Sequence, residues 1–246
     1  MLSWGLIGEL AREAILPAAG ASGLLFYALV RWRGPLIAAP AAALALAAGF
    51  LLGNRLRGAV ALREDTADLH RAVYAAGVAL LLGLVARAPR LPGAARWALR
   101  AAGAALAAWW LAGVVPEDLP LAGWQIAALV FATWAVCEQA PQGPFALALA
   151  ALAAAVVLLY AHTARLAEAA LLLASALAGL ALVASARRID AGGAVPGATV
   201  LLAGLLLSGH STTYSEVPPS CFLLVGAAPL ALVAGSLPFE IGRAHV

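Results

Sequence analysis

Apolar residues run almost without interruption along this chain, and short clusters of arginine, proline, glycine and acids break them at regular intervals. Arg31, Arg33, Gly34 and Pro35 end the first run, and Arg55, Arg57 and the stretch Arg63 to Asp68 end the second. Arg87, Pro89, Arg90, Pro92 and Gly93 close the third. Pro116 to Pro120, then Gln139 to Pro144, then Arg187 to Asp190 mark later breaks. A membrane-spanning helix needs ~20 predominantly apolar residues. The pattern predicts nine of them, at 14–31, 36–54, 70–87, 95–115, 121–138, 144–162, 166–186, 195–209 and 218–238. Barrel strands would alternate apolar and polar residues, whereas Ala146 to Tyr160 is apolar throughout. In hydrocarbon every backbone polar group must be satisfied within the segment, which leaves the helix. The expected fold is therefore all-α, a polytopic transmembrane helical bundle forming one integral membrane domain over 1–239.

Composition sharpens this picture. Hydrophobic residues make up 64% of the 246 and charged residues 11%, against roughly 25% charged in a soluble domain, so the polar surface of a soluble protein is missing. All 15 cationic side chains are arginine. Arginines at helix ends are ordinary for a multispanning protein, and the net charge of +3 needs no nucleic-acid partner. The expected surroundings are the lipid of a bacterial cytoplasmic membrane, with a second copy or a membrane-complex subunit as possible protein partners. Cys137 and Cys221 are expected on opposite faces, without a bridge. The N-terminal residues Glu9, Arg12 and Glu13 do not form the positive region of a cleaved signal, so the first run is read as retained.

Nine spans fix which connections share a face. With the N-terminus outside, the odd-numbered connections are cytoplasmic and carry Arg31, Arg33, Arg87, Arg90, Arg96, Arg100, Arg187 and Arg188. The other face carries Arg12, Arg55, Arg57, Arg63, Arg71 and Arg165. The later chain obeys the positive-inside rule and the 55–71 stretch violates it. Gly103 with Ala107, and Ser175 with Gly179, are spaced for close helix approach. Trp109, Trp110 and Trp124 flank one connection as interfacial anchors. Arg96 and Arg100 are expected to snorkel to the interface. Glu138 and Glu168 fall at span ends, where an acid is tolerated.

The most distinctive polar segment is Gly209-His210-Ser211-Thr212-Thr213-Tyr214-Ser215-Glu216. His210 is a candidate base or metal ligand and Glu216 its carboxylate partner. The structural alternative has Gly209 as a C-terminal cap, His210 at the negative end of the helix dipole and Glu216 ahead of the next helix. His70, His162 and His210 all fall near even-numbered connections. If their helices converge, they make a candidate metal or proton-relay site with Glu216 and Asp68. No P-loop, dinucleotide fingerprint, CxxC pair, HExxH or haem-attachment motif is present, so the cofactor question stays open.

Two short motifs carry resemblances. Gly20-Ala21-Ser22-Gly23 resembles the serine motif of rhomboid intramembrane proteases, which would make Ser22 a nucleophile and His70 its base. The closely spaced glycines expected after that histidine are absent, Gly77 being the next, and so are the helices that should precede the serine. Ser208-Gly209-His210-Ser211 resembles the middle motif of membrane phosphatases of the acid-phosphatase type. There the motif opens a helix and follows an Arg-Pro element; here it ends an apolar run and no such element precedes it.

These readings leave three function classes. A small permease stands ahead of a membrane-embedded enzyme with a His/Glu site at one face, and of a non-catalytic subunit of a membrane complex. The last seven residues, Glu240 to Val246, break the apolar pattern abruptly. Back-translated, they contain the start of a common short-read sequencing adapter. The expectation is that 240–246 is a non-native tail and that the natural chain continues beyond Phe239. Nucleotides spelling other codons at these seven positions would contradict it.

Overall fold

The computed structural model describes residues 8–57, 67–112, 123–212 and 217–236, and every structural statement below concerns these. Glu64, Asp65, Glu216 and the 240–246 tail lie outside them, as does the side chain of Asp68. All the regular elements among them are helical. They are α1 (Leu16–Arg33, entered through the π-helical turn Ala11–Ile15), α2 (Ala38–Leu56), α3 (Ala67–Ala86), α4 (Gly93–Ala112), α5 (Gly123–Gln139), α6 (Gly143–Tyr160), α7 (Ala164–Arg187), α8 (Val195–Ser211) and α9 (Pro219–Ser236). Short 3₁₀ turns, Pro35–Ile37 and Gly192–Ala194, lead into α2 and α8.

Each of the nine predicted runs is one of these helices. Six are long and apolar enough to cross a membrane: those containing α1, α2, α3, α6, α7 and α8. The other three fall short for visible reasons. Helix α4 carries Arg96 and Arg100 in its first turns, α5 has only 17 residues, and α9 offers a shorter apolar stretch, Pro219–Gly235.

Helix α8 is the central post. Of its most apolar window, 89% is buried, against 33% for the window that includes α1. It packs on α3, α5, α6, α7 and α9. Helices α1, α2 and α7 form a second group beside it. The interior is lined largely by alanine, with Ala18, Ala42, Ala45, Ala151, Ala154, Ala176 and Ala198 all buried. Leu147, Leu158, Leu173, Leu177, Leu205 and Phe26 fill the interior beside them, while other large apolar side chains, among them Leu24, Leu81, Leu182 and Leu224, stand on the outer surface. In lipid, leucine gains little by turning inward, and small residues let helix backbones approach.

The α1–α7 contact illustrates this. The backbone of Ala19 rests directly on Gly179, leaving no room for a Cβ there. Three residues along α1, the Ser22 hydroxyl donates to the carbonyl of Ala176 at 2.6 Å. The small residue anticipated at Gly179 is thus a packing position. Ser22, the rhomboid-like candidate, is fully buried and engaged in a helix-to-helix hydrogen bond.

The odd-numbered connections meet at one end of the bundle. Gly192 lies against the Arg87 guanidinium and the backbone of Glu138, and Gly193 against the backbone of Ala39. The described helix ends that flank the even-numbered connections lie at the other end. There Arg57 bridges Glu168 at 2.9 Å and Glu13 at 3.7 Å. That pairing gives a physical account of part of the charge-rule violation: Arg57 faces two acids of its own protein. Trp109 and Trp124 are strongly exposed at this end and Trp110 is partly so, the placement expected of interfacial anchors.

Candidate functional site: a basic vestibule and an apolar slot

Two cavities enter the bundle from opposite ends. The larger opens at the end formed by the odd-numbered connections, where α3, α4, α5 and α7 terminate or begin. Its volume is about 880 Å³, and its wall carries Arg87, Arg96, Arg100, Arg188, Glu138 and Asp190.

Glu138 anchors this vestibule. Its side chain is only 2% exposed although it sits one residue from the end of α5. Trp134, one turn earlier, donates its indole N–H to Oε2 at 2.8 Å. The Arg100 Nε–H donates to the same oxygen at 2.9 Å, and Arg87 Nε lies 3.5 Å from Oε1. Arg87 also pairs with Asp190, whose other oxygen accepts the Gly192 backbone N–H at 2.7 Å. Arg100 is held over the Trp97 ring, 4.8 Å from its centroid. One buried carboxylate thus ties α3, α4 and α5 together, and Arg87 extends the tie to the turn that opens α8.

This corrects two sequence expectations. Glu138 was expected to be an inexpensive acid at a span end, and Arg100 to snorkel. Position along the helix does set depth, but the neighbouring helices close over that depth. Arg100 therefore turns inward to a buried acid instead of outward to headgroups. A signal for the site was present: ahead of the tail, Glu138 and Asp190 are the acids on a face that carries eight arginines.

Trp134 is fully buried, and its ring is received by small residues. A Cβ on Gly103 would stand 2.9 Å from Trp134 Cζ3, and one on Gly83 would stand 3.2 Å from Cζ2. The small residue at Gly103 thus serves a tryptophan rather than a second small-residue ridge.

The smaller cavity, about 80 Å³, is an apolar slot between α5, α8 and α9. Leu129, Leu202, Leu206 and Phe222 line it, with His210 near the even-connection end and Thr133 and Thr199 at the deep end. Both threonines are buried, and neither hydroxyl has a hydrogen-bond partner. Thr133 and Glu138 are five residues apart on α5. At 1.5 Å per residue, a layer of roughly 8 Å separates the slot floor from the vestibule. Trp134 belongs to this stretch of α5 but lines neither cavity; its ring is turned to Gly83 and Gly103 on α3 and α4.

The predicted histidines do not gather. Among the described residues no three His, Cys, Asp or Glu side chains are grouped to hold a metal. His210 lies against the Phe222 ring at 5.2 Å, and neither of its ring nitrogens has a hydrogen-bond partner. Helix α8 runs two residues past Gly209 to Ser211, so Gly209 is not the cap. It makes room for Leu158 of α6, and the Thr212 and Ser211 hydroxyls donate to the Ser208 carbonyl at the helix end. His162 has a positive φ of 59° just past α6, with its N–H and that of Thr163 bonded back to Leu159 and Leu158, a helix-ending turn. His70 is half-buried at the start of α3, its Nε2 without a partner. Cys137 and Cys221 are both free thiols.

No protein-family model matches the chain, and no curated protein or solved structure matches it either.

Replacing Glu138 by alanine leaves Arg100 and Arg87 facing an uncompensated buried site. The expected destabilisation is about 3–5 kcal/mol, read as a lowered thermal midpoint of the purified protein in detergent. The double variant Glu138→Gln with Arg100→Gln is expected to lose less than the sum of its two single changes, by about 0.5–3 kcal/mol of coupling. Strict additivity would mean that the pair does not act as a unit.

Proposed function

We propose that this protein is a small permease: a multi-pass bundle of nine spanning helices in a bacterial cytoplasmic membrane, with its N-terminus outside. The observation that carries this reading is the pair of cavities entering the bundle from opposite ends, with Thr133 at the floor of one and Glu138 in the wall of the other, five residues apart on α5. A permease needs a solute site reachable from one side at a time, and sites of this kind lie near the middle of the membrane between helices. In this reading the vestibule faces the cytoplasm, because its end of the bundle carries the larger share of arginine. Helices α4, α5 and α9 are too short or too charged to span alone. They are read as spans because their neighbours bury the charges and because snorkelling and local bilayer thinning accommodate short helices.

A second reading keeps His210 in view. Its ring nitrogens lack hydrogen-bond partners in the described structure and lie at one face, with Glu216 six residues on. That arrangement suits a membrane-embedded enzyme using the pair as base and carboxylate.

Proteoliposome swelling tests the permease reading. Vesicles holding the purified full chain are shrunk in hyperosmotic polyols, amino acids, carboxylates or phosphate, and light scattering follows their recovery. At least one solute is expected to enter faster than into protein-free vesicles, and Trp134→Ala, which removes the ring packed between α5, α3 and α4 beside Glu138, is expected to raise that rate by loosening the bundle between the cavities. If neither protein passes any of these solutes above the control, the permease reading fails.

A further inference from the structure

We infer that the vestibule is a binding site for a phosphate-class oxyanion; this deepens the permease reading by naming the class of solute, and rests on that reading only for the idea that the ligand moves.

The charges do not balance. Four guanidinium groups line the cavity against two carboxylates, a formal excess of two positive charges. The acids are already engaged: Glu138 by Arg100, Trp134 and Arg87, and Asp190 by Arg87 and the Gly192 N–H. Among the described residues Arg96 and Arg188 have no acidic partner. Arg96 reaches only the carbonyls of Pro89 and Ala88, at 3.3 and 3.5 Å, and its Nε has no hydrogen-bond partner, nor does Arg87 Nη1. Arginines that merely obey the positive-inside rule stand in water at helix ends. Arg87, Arg96 and Arg100 are instead drawn into the wall of a cavity, where screening is reduced and an excess of charge calls for a counter-ion. Planar guanidinium forks match the oxygens of phosphate and similar anions in pairs, which a spherical halide cannot do.

Arg188 supplies an independent observation. It takes the left-handed conformation just past α7, with φ 53°. Its N–H and that of Ile189 bond back to Ser185 and Ala184, a helix-ending turn in which glycine normally holds this place. His162 ends α6 in the same conformation, so the turn is a helix-ending device at both places. What sets Arg188 apart is that its guanidinium stands at the vestibule wall. Glycine at the same position would keep the turn and remove only the charge.

The test uses the purified full chain in nanodiscs of zwitterionic lipid. Inorganic phosphate is titrated at constant ionic strength set by chloride, and binding is read from tryptophan fluorescence and the rise in thermal midpoint. Saturable binding is expected. Arg96→Gln and Arg188→Gly are each expected to weaken it by roughly tenfold or more. Arg188→Gly should keep or raise the unliganded midpoint, which a purely structural arginine would not allow. A second arm adds phosphatidylglycerol. Phosphate affinity that is unchanged identifies a free solute site, and phosphate displaced by the lipid identifies a headgroup site for the same chemistry. No saturable effect beyond chloride, or wild-type affinity in both variants, overturns the proposal. Phosphate binding without swelling in any solute would remove the permease reading and leave this one standing. Swelling in a neutral solute without phosphate binding would do the reverse.

Discussion

A carboxylate closed off inside a membrane bundle has to find its charge and hydrogen-bond partners within the protein, and those of Glu138 come from three helices. Trp134 lies one turn earlier on α5, Arg100 comes from α4 and Arg87 from the end of α3. Removing a carboxylate from water carries a penalty of several kcal/mol, offset only when the geometry satisfies its oxygens. Here Arg100 and the Trp134 indole both bond Oε2, while Oε1 has no hydrogen-bond partner among the described residues and only the charge of Arg87 at 3.5 Å. The arrangement fixes where α3, α4 and α5 end relative to one another. Through the Arg87–Asp190 pair it also fixes the turn that starts α8, the most buried helix of the bundle. The vestibule is the space left where these ends are held apart by charged side chains instead of closing on alanine.

Elsewhere the bundle depends on small residues. The α1, α2 and α7 group closes through Gly179, Ala176 and Ser22, with backbones in contact and one hydroxyl bridging two helices. The same logic makes room for one large ring: Trp134 fits because Gly83 and Gly103 offer no side chains. The buried ring packs α5 onto α3 and α4 and brings its indole N–H to Glu138. The polar cavity at one end and the apolar one at the other make the two ends of the bundle chemically different.

The helices were legible in the sequence because each apolar run is closed by arginine, proline or glycine. The run at 166–186 is α7, Ala164–Arg187, and the run at 195–209 is α8, Val195–Ser211. The shared end of the odd-numbered connections was also legible, since it follows from counting. The site itself was not. Glu138 and Arg100 lie far apart in sequence and each reads as an ordinary helix-end residue; only the packing of α4 on α5 makes them partners. The three histidines are a different case: among the described residues they form no group of three. Counting puts His70, His162 and His210 at one end, but sharing an end does not bring side chains into one site. His162 ends a helix, and His210 turns towards the apolar slot and Phe222.

In the permease reading the two cavities open on opposite sides of the membrane and are closed from each other inside the bundle. Cysteine accessibility tests it most directly. In a Cys221→Ser background, Cys137 being buried, single cysteines are placed at Ser185 in the vestibule and at Leu207 in the slot. A membrane-impermeant thiol reagent is then applied to inside-out and right-side-out vesicles. The account predicts labelling of the Ser185 position only from the cytoplasmic side and of the Leu207 position only from the other. Labelling of both positions from the same side would contradict it.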